Sequence, residues 1–344
     1  MKVIHKHDAA LLDIIGNFIH KKILLVGDII LDKYVFGEAD RISPEAPVPI
    51  LHMDHNKDKY VPGGAANTAN NIVALGGEVF HASVTGNDSR RAELIAIIKK
   101  HGIHTEGLIA DESRPTIMKT RVVAQNQQLL RIDHEKTHFI SAEIEQGMLA
   151  YVNSMIDACE VIIISDYGKG VVTKSLSKKI FELAHQKNKK VITDPKQRDK
   201  EYYYGAYLIT PNLREASEIT GMEAGNDQDI ELMGQKLREM MDANVLITRG
   251  KDGMTLFQKN DVVHIPTKAR EVFDVSGAGD TVVGALALAL AAGAALVDAV
   301  VLANYAAGIV VSKFGTATIT AEELKNYIED EARFEHARLQ TAEH

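Results

Sequence analysis

Short apolar runs alternate with amphipathic segments along most of the chain. The apolar runs, which are typical of strands buried on both faces, lie at residues 22–27, 161–165, 190–193, 207–210 and 244–248. Apolar residues at helical spacing occupy residues 90–100, 141–159, 173–188 and 229–241. Because neighbouring parallel strands need a long crossover between them, this alternation predicts a largely parallel sheet covered by helices.

Two segments leave this alternation. Residues 33–60 begin with a proline-rich stretch and then alternate over short distances, which predicts a small β structure outside the main sheet. Residues 116–123 and 129–133 predict a pair of strands joined by a polar turn. We expect these segments to form a lid beside the main sheet.

The chain shows no internal repeat, low-complexity tract or linker, so we predict one domain. An amphipathic helix is predicted before it at residues 8–20, with Leu11, Ile15 and Ile19 at helical spacing. The predicted parts are an N-terminal helical extension at 1–20, the domain at 21–320 with lid segments at about 33–60 and 110–135, and a C-terminal helix or tail at 321–344.

Polar residues follow the predicted strands. They are Asp28, Asp166, Asp194, Asn212 and Arg249. Because open parallel sheets bind ligands at the carboxyl edge of their strands, we expect these side chains to converge on one crevice. Each of them alone would also suit a cap or a turn, whereas five at one edge favour a binding site.

The first strand end and a glycine pair suit a ligand that carries hydroxyl groups. Asp28 and Asp32 are four residues apart at the predicted sheet edge, where their carboxylates can accept ligand hydroxyls. Gly63 and Gly64 allow close backbone approach, and Asn67 can both donate and accept hydrogen bonds there. The alternative is that Asp28 caps a turn and Asp32 is merely exposed.

A second loop of small residues, 276–279, leads into a long apolar helix with Asp280 at its start. Backbone N–H groups of such a loop and the positive end of the helix dipole together make an anion site. A carboxylate beside an anion site suits phosphoryl transfer to a hydroxyl. The same string would also suit a tight turn in which Asp280 caps the helix.

The composition is that of an ordinary globular protein, with 344 residues, 45% of them hydrophobic and 25% charged. A net charge of −8 without a basic block disfavours a nucleic-acid partner. Cys159 is the only cysteine, which excludes an intrachain disulfide and fits a cytoplasmic protein. Residues 282–303 are strongly apolar but contain Gly and Asp, so we predict buried helices and no membrane span. His52, His55 and His81 lack metal-ligand spacing and are predicted to be surface or lid residues.

Four strings resemble signatures of the ribokinase-like (PfkB) carbohydrate kinases. They are Asp274-Val-Ser-Gly-Ala-Gly-Asp280, Gly63-Gly64-Ala-Ala-Asn67, Asn212-Leu-Arg-Glu215 and Thr248-Arg-Gly-Lys-Asp-Gly253, in the family's order within about residues 21–318. The resemblance implies a ribokinase-like three-layer α/β/α fold with a mostly parallel central sheet and a small β lid. It also implies a phosphotransferase that acts on an alcohol group of a sugar.

A narrower resemblance joins the strings at residues 27–32, 41–49, 127–133 and 165–170. They are similar to the branch that phosphorylates D-glycero-β-D-manno-heptose 7-phosphate at C1, on the route to the ADP-heptose of the lipopolysaccharide inner core. Many members of this branch are fused to an adenylyltransferase. The chain stops shortly after the kinase fold, so we expect a stand-alone kinase.

The resemblance implies ATP and Mg²⁺ as cofactors and assigns the chemistry to the second loop. Asp280 would take the proton of the C1 hydroxyl, and the N–H groups of Gly277, Ala278 and Gly279 would stabilise the transferring phosphoryl group. Glu215 would act on Mg²⁺ through water. A monovalent cation such as K⁺ would lie near Asp274.

The remaining site residues fall into two sets. The nucleotide set implied by resemblance and by position at the sheet edge is Asn212, Glu215, Asp194, Lys196, Thr248, Gly250, Gly253 and Asn304. The sugar set is Asp28, Asp32, Gly63, Gly64 and Asn67. Candidate cations for the sugar phosphate are Arg41, Lys119, Arg121, Arg131 and Lys169, with Arg131 and Lys169 favoured by the branch-specific strings. These cations would equally suit a solvated lid.

The lid segments resemble a small sheet that pairs across a dimer in many relatives, so we predict a homodimer. Three alternatives stay open: a kinase for another sugar, sugar phosphate or nucleoside, a silent ligand-binding member of the fold, and an NAD-dependent oxidoreductase. The presence of Asp280 and its loop argues against the silent member. The oxidoreductase lacks its fingerprint, since one glycine follows the first strand where three are expected.

Overall fold

A computed structural model describes residues 6–125 and 127–342. Its strands are β1 (Lys22–Gly27), β2 (Ile29–Ile42), β3 (Pro49–Met53), β4 (Lys59–Gly64), β5 (Glu78–Thr85), β6 (His104–Ala110), β7 (Met118–Ala124), β8 (Gln127–His134), β9 (Val161–Ser165), β10 (Lys190–Asp194), β11 (Leu208–Ile209), β12 (Asn244–Thr248), β13 (Met254–Phe257) and β14 (Val262–Ile265). Its helices are α1 (Lys6–Gly16), α2 (Ala65–Ala74), α3 (Ser89–Lys100), α4 (Ala142–Met155), α5 (Lys174–Gln186), α6 (Leu213–Thr220), α7 (Asp227–Met241), α8 (Ala278–Ala291), α9 (Leu296–Val310) and α10 (Ala321–Ala342).

The central sheet has the strand order β14-β13-β12-β11-β10-β9-β1-β5-β6. Its pairs are parallel from β12 to β6, and β13 and β14 add an antiparallel hairpin at one edge. The prediction of a largely parallel sheet is therefore confirmed. Ser165 pairs with Gly27 on one side and with Asp194 on the other, so three strands end level with one another.

Helices cover both faces of this sheet and complete a three-layer α/β/α fold. On one face Leu25 and Ile163 are buried under α1, α2, α3, α8, α9 and α10. On the other face Leu24 and Ile162 are buried under α4, α5, α6 and α7. Because successive strand residues point to opposite layers, both layers require apolar side chains, which explains the continuous apolar runs.

The lid is a second sheet with the order β3-β2-β7-β8, and β4 also pairs with β2. Strand β2 leaves the core, where Ile30 is buried, and reaches solvent at Ile42, which is 63% exposed. Every residue of β8 is exposed, including Leu130 and Ile132. The predicted lid strands are confirmed, and β2 is one long strand that runs from the core into the lid.

Three features differ from the sequence-based expectations. Helix α1 ends at Gly16, and Ile19 beyond it is exposed rather than on the buried face. Strand β6 was not predicted, because His104-Thr-Glu-Gly107 lacks a strand pattern at this sheet edge. His81 was expected at the surface or in the lid and is instead fully buried in β5.

The two ends of the described chain lie together, since α1 packs against α10. Residues 1–5 of the predicted N-terminal extension and residues 343–344 of the predicted tail lie outside the described residues. Among the described helices, none combines the length and the apolar character needed to span a bilayer.

Candidate active site

The carboxyl edge of the central sheet brings the predicted polar strand ends together. The Asp28 N–H donates to Ser165 O at 3.2 Å, and the Asp166 N–H donates to Asp194 O at 3.1 Å. A bridge between Asn212 and Thr248 continues the edge. Four of the five strand ends therefore lie side by side, and the side chains of Asp194 and Asn212 among them line a recess.

Arg249, the fifth predicted strand end, faces elsewhere. Its guanidinium pairs with Asp227 of α7 and donates to Thr255 Oγ1 of β13 at 3.3 Å. Because both partners lie behind the strand end, Arg249 belongs to the packing of α7 on the sheet rather than to the crevice.

Asp280 lies in the first turn of α8 and is 6% exposed. Asn67 Nδ2 donates to its Oδ2 at 2.7 Å, and Thr68 Oγ1 donates to its Oδ1 at 2.6 Å. Tyr167 Oη also donates to Oδ1, at 2.7 Å. We call Asn67, Thr68, Tyr167 and Asp280 the base cluster, because three donors hold one carboxylate.

The base cluster leaves Asp280 one open position. A carboxylate oxygen has two acceptor positions, so Tyr167 and Thr68 fill Oδ1, whereas Oδ2 keeps one position beside Asn67. Burial raises the pKa of Asp280, the three hydrogen bonds lower it, and the charge of Asp32 raises it again, with a net upward shift. A carboxylate with a raised pKa and one open oxygen position is suited to accept a proton.

The loop before α8 has the predicted shape. Gly277 adopts φ +78°, and a Cβ there would meet Asn67 Nδ2 at 2.7 Å, so only glycine fits. A Cβ on Gly279 would meet nothing within 4 Å, because this residue borders open space. The N–H of Ala278 instead donates to Val275 O at 3.2 Å, so its predicted part in the anion site is not available in this conformation.

A cavity of about 380 Å³ opens beside this loop. Thr248, Gly250, Gly253 and Asn304 of the predicted nucleotide set line it, together with apolar side chains such as Val282. Asn304 is buried and donates to Pro266 O at 2.7 Å, which orients its amide in the cavity wall. The volume and the mostly apolar lining suit a small organic ligand such as a nucleobase.

A polar recess of about 100 Å³ continues from this cavity and shares Thr248 and Gly279 with it. Asp194, Asn212 and Glu215 line the recess. All members of the predicted nucleotide set except Lys196 therefore line one continuous space, which runs from an apolar cavity to a carboxylate-lined recess.

The Asn212-x-x-Glu215 string forms a capping box at the start of α6. Asn212 Oδ1 accepts the Glu215 N–H at 2.9 Å, and Glu215 Oε2 accepts the Asn212 N–H at 3.1 Å. Glu215 Oε1 lies 3.1 Å from Lys196 Nζ. The cap thus fixes Glu215 in the wall of the recess, while its second oxygen pairs with the Lys196 ammonium.

The carboxylates at the recess fit a divalent cation. Burial, followed by the charges of Glu215 and Asp280, raises the pKa of Asp194 well above its usual range. A cation would relieve this repulsion, and carboxylate oxygens are the donors that Mg²⁺ prefers. No group of three His, Cys, Asp or Glu residues in the described ranges forms a full metal site. Protein oxygens would therefore supply only part of the coordination.

Part of the predicted sugar set lies between the base cluster and the lid. Asp32 Oδ1 is 2.7 Å from Arg121 Nη1, an ion-pair distance without hydrogen-bond angles, and a Cβ on Gly63 would meet Asp32 Oδ2 at 2.5 Å. Gly64 adopts φ +56° where β4 turns into α2. Asn67 is buried, and its Oδ1 has no hydrogen-bond partner among the described residues. An unpartnered buried acceptor suits a ligand hydroxyl.

The structure gives Asp28 a different place from the predicted sugar contact. Its Oδ2 accepts the N–H groups of Tyr167 at 2.8 Å and Lys169 at 3.1 Å, and its Oδ1 accepts that of Val171 at 3.0 Å. The side chain is fully buried. Asp28 therefore holds the loop after β9, as in the turn-capping alternative.

The predicted phosphate-binding cations form a network with carboxylates. The lid charge cluster consists of Lys119, Arg121, Arg131 and Lys169 with Asp32, Asp133 and Glu135. Lys169 Nζ is 2.5 Å from Glu135 Oε1, and Arg131 Nε is 2.8 Å from Asp133 Oδ1. Four cations face three carboxylates, so the cluster is positive by one charge. Arg41 is exposed on the outer part of β2.

Sequence reasoning missed two members of the base cluster, Thr68 and Tyr167. Thr68 directly follows Asn67 in the glycine-loop string, and its place in the first turn of α2 was the available signal. Tyr167 lies in the string at residues 165–170, where Asp166 and Lys169 were given roles but Tyr167 was not. No sequence signal connects Tyr167 with Asp280, because 113 residues separate them.

Comparisons with known proteins identify the family of the chain. The family described as pfkB family carbohydrate kinase matches residues 21–323. The chain is 44% identical over 338 residues to the Bifunctional protein HldE of Desulfatibacillum aliphaticivorans. The aligned region covers 98% of this chain and 68% of that protein. It is 44% identical over 303 residues to the Bifunctional protein HldE of Geobacter sulfurreducens, covering 88% of this chain and 61% of the relative. The chain thus spans about two thirds of the length of these relatives.

Solved structures show the same fold at low sequence identity. Ribokinase of Arabidopsis thaliana, complexed with ribose and ATP, superposes with a TM-score of 0.71 at 18% identity, over 90% of this chain and 99% of that one. Phosphofructokinase-2 of Escherichia coli, in complex with potassium, superposes with a TM-score of 0.74 at 17% identity, over 92% of this chain and all of that one.

The fold is ribokinase-like, and its candidate site combines a buried carboxylate at the start of a helix with an adjacent cavity. The chain belongs to the pfkB family of carbohydrate kinases, and its reaction is phosphoryl transfer to an alcohol group of a sugar.

Proposed function

We propose that the protein transfers the γ-phosphoryl group of ATP to the C1 hydroxyl of D-glycero-β-D-manno-heptose 7-phosphate, which gives the 1,7-bisphosphate and ADP. The observation that carries the proposal is the base cluster, which lies between the nucleotide cavity and the lid. The heptose comes from the branch-specific strings at residues 27–32, 41–49, 127–133 and 165–170. The product would enter ADP-heptose and lipopolysaccharide core synthesis.

Asp280 acts as the base in this proposal. Its Oδ2 takes the proton of the C1 hydroxyl while the C1 oxygen forms a bond to the γ-phosphorus, and the bond from that phosphorus to the β-phosphate oxygen breaks to release ADP. The backbone at Gly277 and Gly279 and the start of α8 face the developing negative charge. The N–H group of Ala278 can contribute only if its hydrogen bond to Val275 O breaks.

The nucleotide would extend from the cavity into the polar recess. The base packs near Asn304, and the phosphates lie beside Thr248, Gly250 and Gly253. Lys196 offers a point charge to a phosphate once its pairing with Glu215 loosens. Bound Mg²⁺ would neutralise phosphate charge. Asp194 and Glu215 would hold that ion, Glu215 through water because the cap fixes its position.

The sugar would lie between the base cluster and the lid. Asn67 Oδ1 and Asp32 accept its hydroxyls, and Gly63 and Gly64 allow the backbone to come close. The 7-phosphate competes with Asp32, Asp133 and Glu135 for the cations of the lid charge cluster. The surplus positive charge of the cluster favours an anion.

Three further parts of the proposal concern surroundings. K⁺ is proposed near Asp274, whose carboxylate would supply the negative charge. Burial raises the pKa of this carboxyl, but hydrogen bonds from the N–H groups of Ser276 and Gly315 outweigh burial, so the pKa lies below its usual value. A homodimer is proposed through the lid, because β8 exposes apolar residues. A cytoplasmic site of action fits ATP as substrate and the single cysteine.

The proposal is tested by ADP release with ATP, Mg²⁺ and the heptose phosphate, comparing the wild type with Asp280→Asn and Asp298→Asn. Asp298 lies in the first turn of α9, away from the site, and is the matched control. We expect about 10²–10⁴-fold loss of kcat for Asp280→Asn only, with ATP binding retained. Unchanged turnover in Asp280→Asn would place the base elsewhere.

A panel of other sugars, sugar phosphates and nucleosides separates substrate from mechanism. If the enzyme phosphorylates another acceptor and Asp280→Asn loses this activity, Asp280 keeps its assignment as the base and the other acceptor replaces the heptose phosphate as the proposed substrate. Light scattering at micromolar concentration tests the dimer, and a monomer would contradict it.

A further inference from the structure

Tyr167 reaches Asp280 from a different element than the other two donors. Asn67 and Thr68 belong to the first turn of α2, whereas Tyr167 belongs to the loop that follows β9. Its hydroxyl shares Oδ1 with Thr68, at 2.7 and 2.6 Å. Together they fill this oxygen, so the proton-accepting position is left on Oδ2.

The loop that carries Tyr167 is fixed from several sides. Asp28 accepts three of its N–H groups, those of Tyr167, Lys169 and Val171. Arg114, itself 4% exposed, donates through Nη1 to Lys169 O at 3.0 Å. Because buried charged groups hold the backbone at Tyr167 and on its C-terminal side, the loop restricts where the Tyr167 ring can lie.

Glycine makes this loop geometry accessible. Gly170 adopts φ +91°, and a Cβ there would meet His138 O at 2.2 Å. Gly168 also has a positive φ, +67°, and donates its N–H to Asp166 Oδ1 at 2.7 Å. The turn therefore brings Asp28 under the backbone while it points Tyr167 into the site.

We propose that Tyr167 is a positioning residue for the reaction, which turns Oδ2 of Asp280 toward the sugar hydroxyl, and that Asp28 acts through it by holding the loop. This inference rests on the proposed role of Asp280 as the base. It goes beyond that role because it names what orients the base, and it gives Asp28 a function without contact to the sugar.

Charged and titratable groups reach Asp280 from three elements, and they set the expected pH effect. Asp32 of β2 and Asp194 of β10 raise the tendency of Asp280 to hold a proton. Tyr167 opposes them, since its hydrogen bond favours the ionised carboxylate, as do those from Asn67 and Thr68. A base must be ionised to accept a proton, so loss of the Tyr167 hydroxyl moves the acidic limb of kcat to higher pH.

The test compares Tyr167→Phe with Tyr151→Phe. Both changes remove one phenol oxygen and keep the ring, so folding should be preserved. Tyr151 lies on α4, and its hydroxyl has no hydrogen-bond partner among the described residues, which makes it the matched control. We expect kcat of Tyr167→Phe to fall roughly 10- to 100-fold with KM for ATP unchanged.

Two readouts distinguish positioning from a merely structural role. The first is the pH profile of kcat, measured with whichever sugar the wild type phosphorylates. The second is the ¹³C NMR titration of the Asp280 carboxyl in the free enzyme, assigned by its absence in Asp280→Asn. Both should move to higher pH in Tyr167→Phe only. A lower kcat with both titrations unmoved, or an unchanged kcat, would overturn the proposal.

The NMR arm separates this inference from the proposed function. If the heptose phosphate is not a substrate, the Asp280 titration still reports on Tyr167. If Asp280→Asn keeps full activity, the base assignment fails, whatever the titration shows.

Asp28 is tested by a double-mutant cycle. Asp28→Asn replaces one carboxylate oxygen with an NH2 group, which cannot accept the loop N–H groups. We therefore expect kcat to fall, and the acidic limb of its pH profile to move in the same direction as in Tyr167→Phe. If Asp28 acts through Tyr167, the double variant should lose no more activity than the single variant that shows the larger loss. Additive losses would show that Asp28 acts independently and would overturn this part of the proposal.

Discussion

The base cluster and the lid charge cluster face the same crevice but are built in different ways. Around Asp280 the donors are two neutral side chains of one helix turn and a tyrosine on a fixed loop. In the lid, full charges pair with full charges on an open sheet, and Arg131 is 49% exposed. The first arrangement forms without substrate, whereas the cations of the second are already paired with carboxylates, which the sugar phosphate of the proposed reaction would have to displace.

This difference indicates which step of the reaction, substrate binding or proton transfer, each region serves. Donors in rigid elements need no rearrangement when the proton moves, so the base cluster should act on kcat. The lid cations pair with carboxylates that a phosphate group can replace as a partner, so the lid charge cluster should act on sugar binding and hence on KM. Mutations in each region should separate kcat from KM.

Among the variants that test this comparison, the largest effect is expected for Gly277→Ala, beside the base cluster. The new Cβ would lie 2.7 Å from Asn67 Nδ2 at a residue with φ +78°, so it should push away a donor of Asp280 and distort the loop. We expect kcat to fall about 10²–10³-fold. Gly225→Ala, whose Cβ would meet Asp229 at an ordinary 3.6 Å, is the control. Steady-state kinetics of both decide, and an unaffected kcat in Gly277→Ala contradicts the rigid arrangement.

The next effect is expected in the lid at Arg121→Met. Arg121 is mostly buried, pairs with Asp32 and stacks over Tyr34 at 5.4 Å. Its loss should raise KM for the sugar phosphate about 10- to 100-fold and change kcat little. Arg198→Met, at an exposed pair with Glu218, should change neither. If kcat falls while KM stays constant, the proposed division between the regions is wrong.

A smaller effect is expected for Arg131→Met. Its bidentate pair with Asp133 is half exposed, so salt screens it. KM for the sugar phosphate should rise by a factor of about two to five at low ionic strength, and the difference should vanish at high salt. A large rise that resists salt would show that Arg131 binds the phosphate in a desolvated place.

His81→Leu should affect stability but neither kinetic constant, because His81 belongs to neither region. Burial lowers the pKa of His81 to about 3, and neither ring nitrogen has a hydrogen-bond partner among the described residues. The unfolded chain takes up a proton near its usual pKa of 6.5 while the folded protein stays neutral, so wild-type stability is full above pH 6.5 and falls as pH drops toward 3.

Urea unfolding at two pH values measures this effect. Between about pH 7.5 and 5.5 the wild type should lose about 1 kcal/mol more than His81→Leu. The variant should also gain stability at both values, because two unsatisfied nitrogens are removed. Equal losses in the two proteins would mean that His81 finds a partner or becomes protonated in the folded state.

Much of this organisation was predictable from the sequence. A strand buried on both faces must be apolar at every position, so β1, β9 and β12 were visible as continuous runs. Glycines with positive φ are also local requirements, which is why the loops at Gly64 and Gly277 could be located. Strand ends at one edge then implied a crevice, and Asp280 at the start of an apolar helix implied its base.

The side-chain partners were not predictable in the same way. The pattern shows that Asp28 ends a buried strand, but an acceptor for ligand hydroxyls and an acceptor for three loop N–H groups look alike in sequence. The lid cations were visible as charges, yet their pairing with Asp133 and Glu135 depends on cross-strand register and on the course of the 166–172 loop. Arg249 likewise turned away to Asp227.

The layers, the strand ends and the two glycine loops were predictable from the sequence alone, because each depends on burial or backbone freedom of a few neighbouring residues. Which polar groups meet depends on the assembled fold. The hydrogen bond from Tyr167 to Asp280 joins residues 113 positions apart, and its 2.7 Å length depends on the packing of β1, β9 and α8 at once. Hydrogen bonds require positions within a few tenths of an ångström, and only the assembled layers supply them.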